Sequence, residues 1–410
     1  MACSKELRIP KPWLNYHDDI NNEPIDPELF SEDELVAWLK DLGLCLEKSR
    51  AENLISNVRP YHAVRHQFVR FSRNALNKKL FSLWVNALVA IFASDDILEL
   101  LSEDEMRLIC EGYQSLDKYI CDQFPQFPTI IEMKAFLLKQ NVQEKLFPHI
   151  MFFQDFSNEI AKSLLKYKKF PDEDVKDFWR RLVVMDGSFF EGVWSEVKHT
   201  AGLYAEDLWT RLLTSAVLTW IVGQEVMSET LAEAAKHQTL LTELYFLETF
   251  FCMVVNDIYS YKREMKIDAR ICNMVKTIVV GQDCEESEAV QKCIEIINAV
   301  VKIMYQKIEN TKQENPEDQN LWRLLDNIAL STTGWYYFHH YSPRYDDSSW
   351  RVPTVGIEGD ELEEWRKATG EEPPNEVTPL LLNCNPQARQ FSEAISKGDL
   401  NMGAILKLSG

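Results

Sequence analysis

Long stretches of the chain repeat apolar residues every three to four positions, the period of an α-helix with one buried face. The longest apolar runs, 80–93 and 240–255, show no alternation of the kind expected in a half-buried strand. The segment Ser31–Glu34 has the composition of a helix N-cap. Breakers between helical stretches are Phe124–Pro128, Phe170–Asp172, Met185–Ser188 and Gly281–Asp283. We predict an all-α bundle of ten or more helices.

The pattern divides the chain into three parts. Residues 1–30 contain four prolines and predict an extended arm. Residues 31–345 carry the helical periodicity. Residues 346–410 are rich in Gly and Pro, with a short amphipathic piece near Leu362–Trp365, and predict an extension that is partly irregular or docked on the domain.

The net charge of −20 changes the picture of possible partners. Nucleic acids and anionic membranes bind clustered Lys and Arg, so neither is expected here. An anionic substrate would need local cations, and bound metal ions can reverse the field of an acidic site. A chain with 46% hydrophobic residues and only 14 Gly also suits a large helical core.

The nine cysteines are scattered, without a CxxC pair, and indicate reduced thiols. The N-terminus lacks the apolar segment of a secretion signal, and the apolar runs are too short or too interrupted to span a bilayer. We expect a cytoplasmic protein without a transmembrane segment.

Two acidic motifs carry candidate chemistry. The first, Asp95-Asp96-x-x-Glu99, follows an apolar run and places Asp95 and Glu99 on one helix face. Such carboxylates suit Mg²⁺ that also binds substrate phosphates, although a solvated helix end would have the same composition.

The second motif places Asn256, Ser260 and Glu264 at four-residue intervals after another apolar run, so that three oxygen ligands lie in a row on one helix face. Arg263 could reach the same ligand with a forked donor.

Two further sequence features lie at set distances from the second motif. Arg211 precedes Asn256 by 45 residues, and the pair Arg344-Tyr345 follows it by 88. Together with the acidic motifs they resemble the class I terpene synthases, in particular the compact single-domain enzymes of microbes, amoebae and octocorals. The resemblance covers residues 1–345. Because the gap between the acidic motifs is long for this family, it also implies an inserted loop between about 120 and 190.

The resemblance implies a class I terpenoid synthase α-domain with a central apolar cavity, three Mg²⁺ ions, and an N-terminal arm that acts as a lid through Arg8 and Trp13. It assigns metal binding to Asp95, Glu99, Asn256, Ser260 and Glu264, diphosphate binding to Arg211, Arg263, Arg344 and Tyr345, catalytic support to Asp96, Thr214 and Ser215, and the aromatic cavity wall to Phe92, Trp335 and Tyr337. We interpret His339 and His340 as structural.

The implied reaction is the ionisation and cyclisation of a linear prenyl diphosphate, geranylgeranyl or farnesyl diphosphate, by a monomer or homodimer. One alternative is a chain-elongating prenyl diphosphate synthase, but that family has a second aspartate-rich motif where this chain has Asn256-Asp257-x-x-Ser260. The other is a non-catalytic helical binding protein.

Overall fold

The computed structural model describes residues 5–45, 47–98, 100–198, 204–267, 272–348 and 350–367. Its helices are α1 (Lys11–Leu14), α2 (Glu32–Leu42), α3 (Lys48–Val58), α4 (Pro60–Gln67), α5 (Ala75–Leu98), α6 (Glu103–Cys121), α7 (Ile130–Lys139), α8 (Phe147–Tyr167), α9 (Asp172–Lys198), α10 (Tyr204–Thr214), α11 (Val217–Met227), α12 (Leu231–Lys236), α13 (Gln238–Ile267), α14 (Met274–Gln282), α15 (Glu286–Glu314), α16 (Gln319–Tyr341) and α17 (Asp360–Lys367). Short 3₁₀ turns are Ile20–Asn22, Glu144–Leu146 and Pro343–Tyr345, and the strands are β1 (Leu7–Pro10) and β2 (Thr354–Ile357).

The predicted all-helical fold is confirmed, with one small parallel strand pair in addition. Helix α2 begins at the predicted cap, where the Glu34 amide donates to the Ser31 hydroxyl. The expected inserted loop is wrong, because α7, α8 and α9 fill most of residues 120–190. The expected break at 185–188 is also wrong: Gly187 lies inside α9, which buries this stretch on all sides.

Two glycines allow pairs of helices to cross closely in the bundle. Gly223 of α11 lies against the Trp84 ring of α5, where the Cβ of any other residue would stand 2.3 Å from the ring. Gly334 of α16 meets the His66 carbonyl oxygen of α4 in the same way, at 2.2 Å. Close packing at these two crossings therefore requires residues without a side chain.

Helices α5 and α13 contain the segments Ala75–Leu98 and Gln238–Lys266, which are long and apolar enough to cross a membrane by length and composition. Within the fold, 67% and 78% of their most apolar windows are buried. This burial is typical of core helices in a globular domain.

The two ends of the described chain meet in a terminal clasp, which we define as residues 7–14 and 350–367. β1 pairs in parallel with β2, from Leu7 opposite Thr354 to Pro10 opposite Ile357. The clasp packs on α15, whose Asn298 side chain accepts from the Arg8 amide and donates to the Glu6 carbonyl. The first part of the predicted extension is therefore docked, while residues 368–410 lie outside the described residues.

The clasp does not place the predicted lid residues at the cavity described below. Arg8 forms an ion pair with Glu361, and the Trp13 ring packs against Tyr305 at 6.1 Å between centroids. Neither side chain belongs to the cavity wall.

Candidate active site

A cavity lies between α5, α9, α13, α16 and the junction of α10 with α11. It holds about 940 Å³ of space not filled by atoms, including a part open to solvent. Its apolar wall includes Leu88, Ile91, Phe189, Val193, Val217, Trp220, Met253 and Phe338, and its polar end is formed by Asp95, Arg211, Asn256, Arg263, Glu264 and Tyr345. Most of the predicted site residues thus meet around one space.

Arg211 joins α10 to the second acidic motif. Its Nε and Nη2 donate to Asp257 Oδ1 at 2.9 and 2.7 Å, and Nη2 also donates to Asn256 Oδ1 at 2.8 Å. The other oxygen of the fully buried Asp257 accepts from the Met274 amide at 2.6 Å. Asp257 therefore holds Arg211 against Asn256, a role that the motif alone did not reveal.

Asn256 also contacts α16 and the 3₁₀ turn that follows it. Its Nδ2 donates to the Tyr345 hydroxyl at 3.0 Å and to His339 Nε2 at 3.1 Å. Burial lowers the pKa of His339 to about 4, so the imidazole is neutral at physiological pH.

The two aspartates of the first motif have different partners. Arg344 donates from Nη2 to Asp96 Oδ1 at 2.8 Å and lies 3.9 Å from Asp95 Oδ2, while Arg263 lies 3.6 Å from Asp96. The Arg344 guanidinium also stacks over the Phe92 ring, 4.4 Å from its centroid. Asp96 therefore bridges two predicted diphosphate-binding arginines. Glu99 lies outside the described residues.

Glu264 and Ser260 extend the second motif along α13. Ser260 Oγ lies 3.5 Å from Asn256 Oδ1, and Glu264 Oε2 accepts from Asn273 Nδ2 at 2.7 Å. Asn273 also caps α14 by accepting from the Val275 and Lys276 amides. Asn273 was not among the predicted site residues, although its place before an apolar helical run is a cap signal.

The chain between α10 and α11 borders the cavity at Thr214, Ser215 and Ala216. Thr214 Oγ1 accepts from Arg211 Nη1 at 3.2 Å, and Ser215 Oγ donates to the Leu212 carbonyl at 2.6 Å. Ala216 has φ 54°, a left-handed conformation that costs free energy for a residue with a side chain. The structure thus places the predicted support residues Thr214 and Ser215 beside Arg211, next to a strained backbone position.

Aromatic side chains occupy the wall as predicted in two cases out of three. Phe92 and Trp335 line the cavity, but the prediction for Tyr337 is wrong, because its side chain is not part of the wall. Its ring stacks on His17 and His66, and its hydroxyl donates to Asp18 on the N-terminal arm. Phe338 also lines the cavity, and Trp220 lines it without having been predicted.

Comparison with known proteins identifies the family. The sequence profile of the family described as "Terpene synthase family 2, C-terminal metal binding" matches residues 87–303, more than half of the chain. The chain belongs to the terpene synthase family. No curated protein matches it significantly in sequence.

Solved structures similar to this terpene synthase show the same fold. They include the SVS_A2 protein from ancestral sequence reconstruction (14% identity, TM-score 0.53, 89% of this chain and 97% of that chain). Germacradien-4-ol synthase from Streptomyces citricolor has 14% identity and TM-score 0.51, with 83% and 99% covered. Linalool/nerolidol synthase from Streptomyces clavuligerus, solved with 2-fluorogeranyl diphosphate, has 12% identity and TM-score 0.53, with 75% and 96% covered.

The polar end of this terpene synthase fits a hard divalent cation. Asp95, Asn256 and Glu264 supply carboxylate and amide oxygens to one cavity, the ligand type that Mg²⁺ prefers. Buried nitrogens nearby add capacity for an anion, because Nε of Arg263 and of Arg344 has no hydrogen-bond partner among the described residues.

Two acids beside the cavity, the half-buried Glu196 and the fully buried Glu248, were not predicted. Glu196 lines it, accepts from the Cys272 amide at 2.5 Å, and has its pKa raised by burial to about 7. Glu248 accepts from Ser331 Oγ at 2.6 Å and from Trp335 Nε1 at 3.2 Å, and burial raises its pKa to about 8. Sequence periodicity gives both positions as ordinary helix residues, so no signal separated them from other acids.

Proposed function

We propose that this terpene synthase is a Mg²⁺-dependent class I cyclase that ionises a linear prenyl diphosphate, farnesyl or geranylgeranyl diphosphate, and cyclises the carbocation. The observation that supports it best is that oxygen ligands, arginines and apolar side chains meet around one cavity. Asp95, Asn256 and Glu264 line it with Arg211 and Arg263, and Arg344 pairs with Asp96 beside them. Most of the remaining wall is aromatic or aliphatic.

Asp95, Asn256, Ser260 and Glu264, with Glu99, are the residues that would hold the metal. Bound Mg²⁺ supplies Lewis-acid stabilisation of the departing diphosphate. The amide oxygen of Asn256 has two lone pairs, of which Arg211 uses one. The second faces Ser260 Oγ at 3.5 Å, a weak contact that a bound metal would replace.

Arg211, Arg263 and Arg344 are the proposed diphosphate donors. Each is already held near its working position by a carboxylate, Asp257 for Arg211 and Asp96 for the other two. An incoming diphosphate would compete with Asp96 for Arg263 and Arg344, and their Nε groups would gain a partner. Donors prepositioned in this way stabilise the charge that develops on the leaving group.

The apolar part of the cavity wall suits a hydrocarbon chain and a cation. Phe92, Trp220, Trp335 and Phe338 present rings to the space, and rings attract cations through their π faces. Apolar side chains such as Leu88, Ile91 and Val217 also limit the access of water, which would quench an allylic cation.

The test is incubation of the full chain with C10, C15 and C20 prenyl diphosphates, with Mg²⁺ or with EDTA, followed by mass spectrometry of the hydrocarbons and measurement of released diphosphate. We expect Mg²⁺-dependent cyclic products from C15 or C20 diphosphate alone. Asn256→Ala should abolish turnover, whereas Asn298→Ala, which alters an amide in the clasp contact, should retain it. Products that form only with added isopentenyl diphosphate would indicate an elongase, and no turnover of any substrate would overturn the proposal.

A further inference from the structure

The orientation of the Asn256 side-chain amide is determined by its neighbours. A guanidinium has only donors, so the atom 2.8 Å from Arg211 Nη2 must be the amide oxygen. The amide nitrogen then faces His339 Nε2 and the Tyr345 hydroxyl, at 3.1 and 3.0 Å. Both groups must accept a hydrogen bond.

The tautomer of His339 follows from a second contact. His339 Nδ1 lies 2.7 Å from the Trp335 carbonyl oxygen, which can only accept. The ring proton is therefore on Nδ1, and Nε2 presents a lone pair to the Asn256 amide nitrogen. The two assignments, made from different atoms, agree.

The four side chains that contact the Asn256 amide differ in whether they can enforce this orientation. Arg211 is itself a proposed diphosphate donor, so its hydrogen bond to Asn256 is exposed to competition from substrate. The hydroxyls of Tyr345 and Ser260 can donate as well as accept and would tolerate either amide orientation. His339 is buried in the cavity wall and anchored to the backbone of its own helix through Nδ1, and its Nε2 can only accept.

We infer that His339 is a positioning residue that keeps the Asn256 amide oxygen directed toward the metal ligands, and that it explains why position 256 carries an amide. A carboxylate at this position could not donate to His339 Nε2, and its oxygen would face the imidazole lone pair. A reversed amide would present NH₂, which cannot bind a cation. The inference rests on the proposed function.

Two substitutions of His339 separate its two hydrogen bonds. In His339→Asn, the shorter side chain can still donate to the Trp335 carbonyl but cannot reach Asn256. In His339→Gln, the side-chain oxygen is as many bonds from Cβ as Nε2 is, so it can accept from Asn256. His339→Phe, which keeps the ring volume without an acceptor, replaces His339→Asn if that variant does not fold.

The readouts are the Mg²⁺ concentration for half-maximal turnover and the rise in melting temperature caused by inorganic diphosphate plus Mg²⁺. Removing a group that orients a metal ligand typically costs about 10- to 100-fold in metal affinity. We therefore expect His339→Asn to raise the half-maximal Mg²⁺ concentration by about 10- to 100-fold and to lose most of the diphosphate stabilisation. His339→Gln should restore much of both, and the melting temperature without ligand should be similar in the two variants.

Equal losses in both variants, or a lower ligand-free melting temperature with an unchanged Mg²⁺ requirement, would overturn the inference. The wild-type protein distinguishes this failure from that of the proposed function. If the wild type shows neither Mg²⁺-dependent turnover nor stabilisation by diphosphate, the proposed function is wrong and the inference is wrong with it.

Discussion

The polar end of the cavity and the terminal clasp are both built from ion pairs beside aromatic rings, but they use them differently. In the cavity, the Arg211 and Asp257 side chains are 12% and 0% exposed. In the clasp, Lys11 and Glu358 pair at 2.9 Å with 48% and 64% of their side chains exposed. Exposed pairs contribute little to stability, whereas breaking a buried pair leaves an uncompensated charge.

This difference in exposure shows which interactions stabilise each region. The clasp depends on burial of apolar side chains, since Leu7, Ile9, Trp350, Val352 and Ile357 are all enclosed. The polar end instead encloses charges, which costs desolvation energy and fixes donors and acceptors from helices distant in sequence. Substitutions at the polar end should therefore change turnover, and substitutions in the clasp should change stability.

The largest effect is expected from Arg344→Lys, because the ammonium group loses the forked geometry that contacts Asp96 and stacks on Phe92. Turnover should fall by about 10²- to 10³-fold, as when one preorganised donor is removed. Arg351→Lys is the matched control, since Arg351 donates to the His340 carbonyl outside the cavity. The measurement is the steady-state rate per folded molecule. If Arg344→Lys loses stability but keeps this rate, Arg344 has a structural role only.

The next effect concerns the clasp. Trp350→Ala removes an enclosed ring and should lower the free energy of unfolding by about 3–5 kcal/mol, as is typical for a buried Trp. Urea denaturation measures the loss, and Tyr16→Ala, which removes a ring that is 45% exposed, is the control. Turnover per folded molecule should persist, and its disappearance would show that the clasp shapes the cavity.

A smaller, pH-dependent effect is expected at Glu248, behind the cavity wall. Burial raises its pKa from 4.5 to about 8, so between these values the folded protein holds a proton that the unfolded chain has released. This contribution to stability is fully present below pH 4.5 and is lost as the pH rises through 8, at about 1.4 kcal/mol per pH unit. In Glu248→Gln, the free energy of unfolding should fall less between pH 6 and pH 8 than in the wild type. The free energy of unfolding is measured by urea denaturation at each pH. If it falls equally with pH in the wild type and in Glu248→Gln, Glu248 is not a buried neutral acid.

The sequence predicted the residues whose position depends only on helix geometry. Asn256, Ser260 and Glu264 recur every four residues on one helix, so their shared face followed from the period alone. The same geometry explains why the prediction for Tyr337 was wrong. Tyr337 is two positions from Trp335, and residues two apart point to different sides of a helix. Phe338, three positions from Trp335, lines the cavity instead.

Contacts between segments distant in the chain could not be predicted, because neither segment carries a sequence pattern that indicates its partner. The pairing of Leu7 with Thr354 depends on where the helical bundle brings the two ends of the described chain. The roles of Asn273 and His339 likewise arise only when α13, α14 and α16 meet. Each is an ordinary cap or helix residue when its own segment is considered alone.

The smallest effect is expected at the exposed ion pair of the clasp, between Lys11 and Glu358. Lys11→Met, Glu358→Gln and the double variant form a cycle around an ion pair that lies mostly in water. We expect a coupling free energy of about 0.2–1 kcal/mol that decreases with added salt, because solvent screens exposed charges. Urea denaturation at low and high ionic strength measures it, with turnover unchanged throughout. A coupling well above this range that persists in high salt would mean that the clasp, like the polar end, depends on its charges, and the distinction between the two regions would fail.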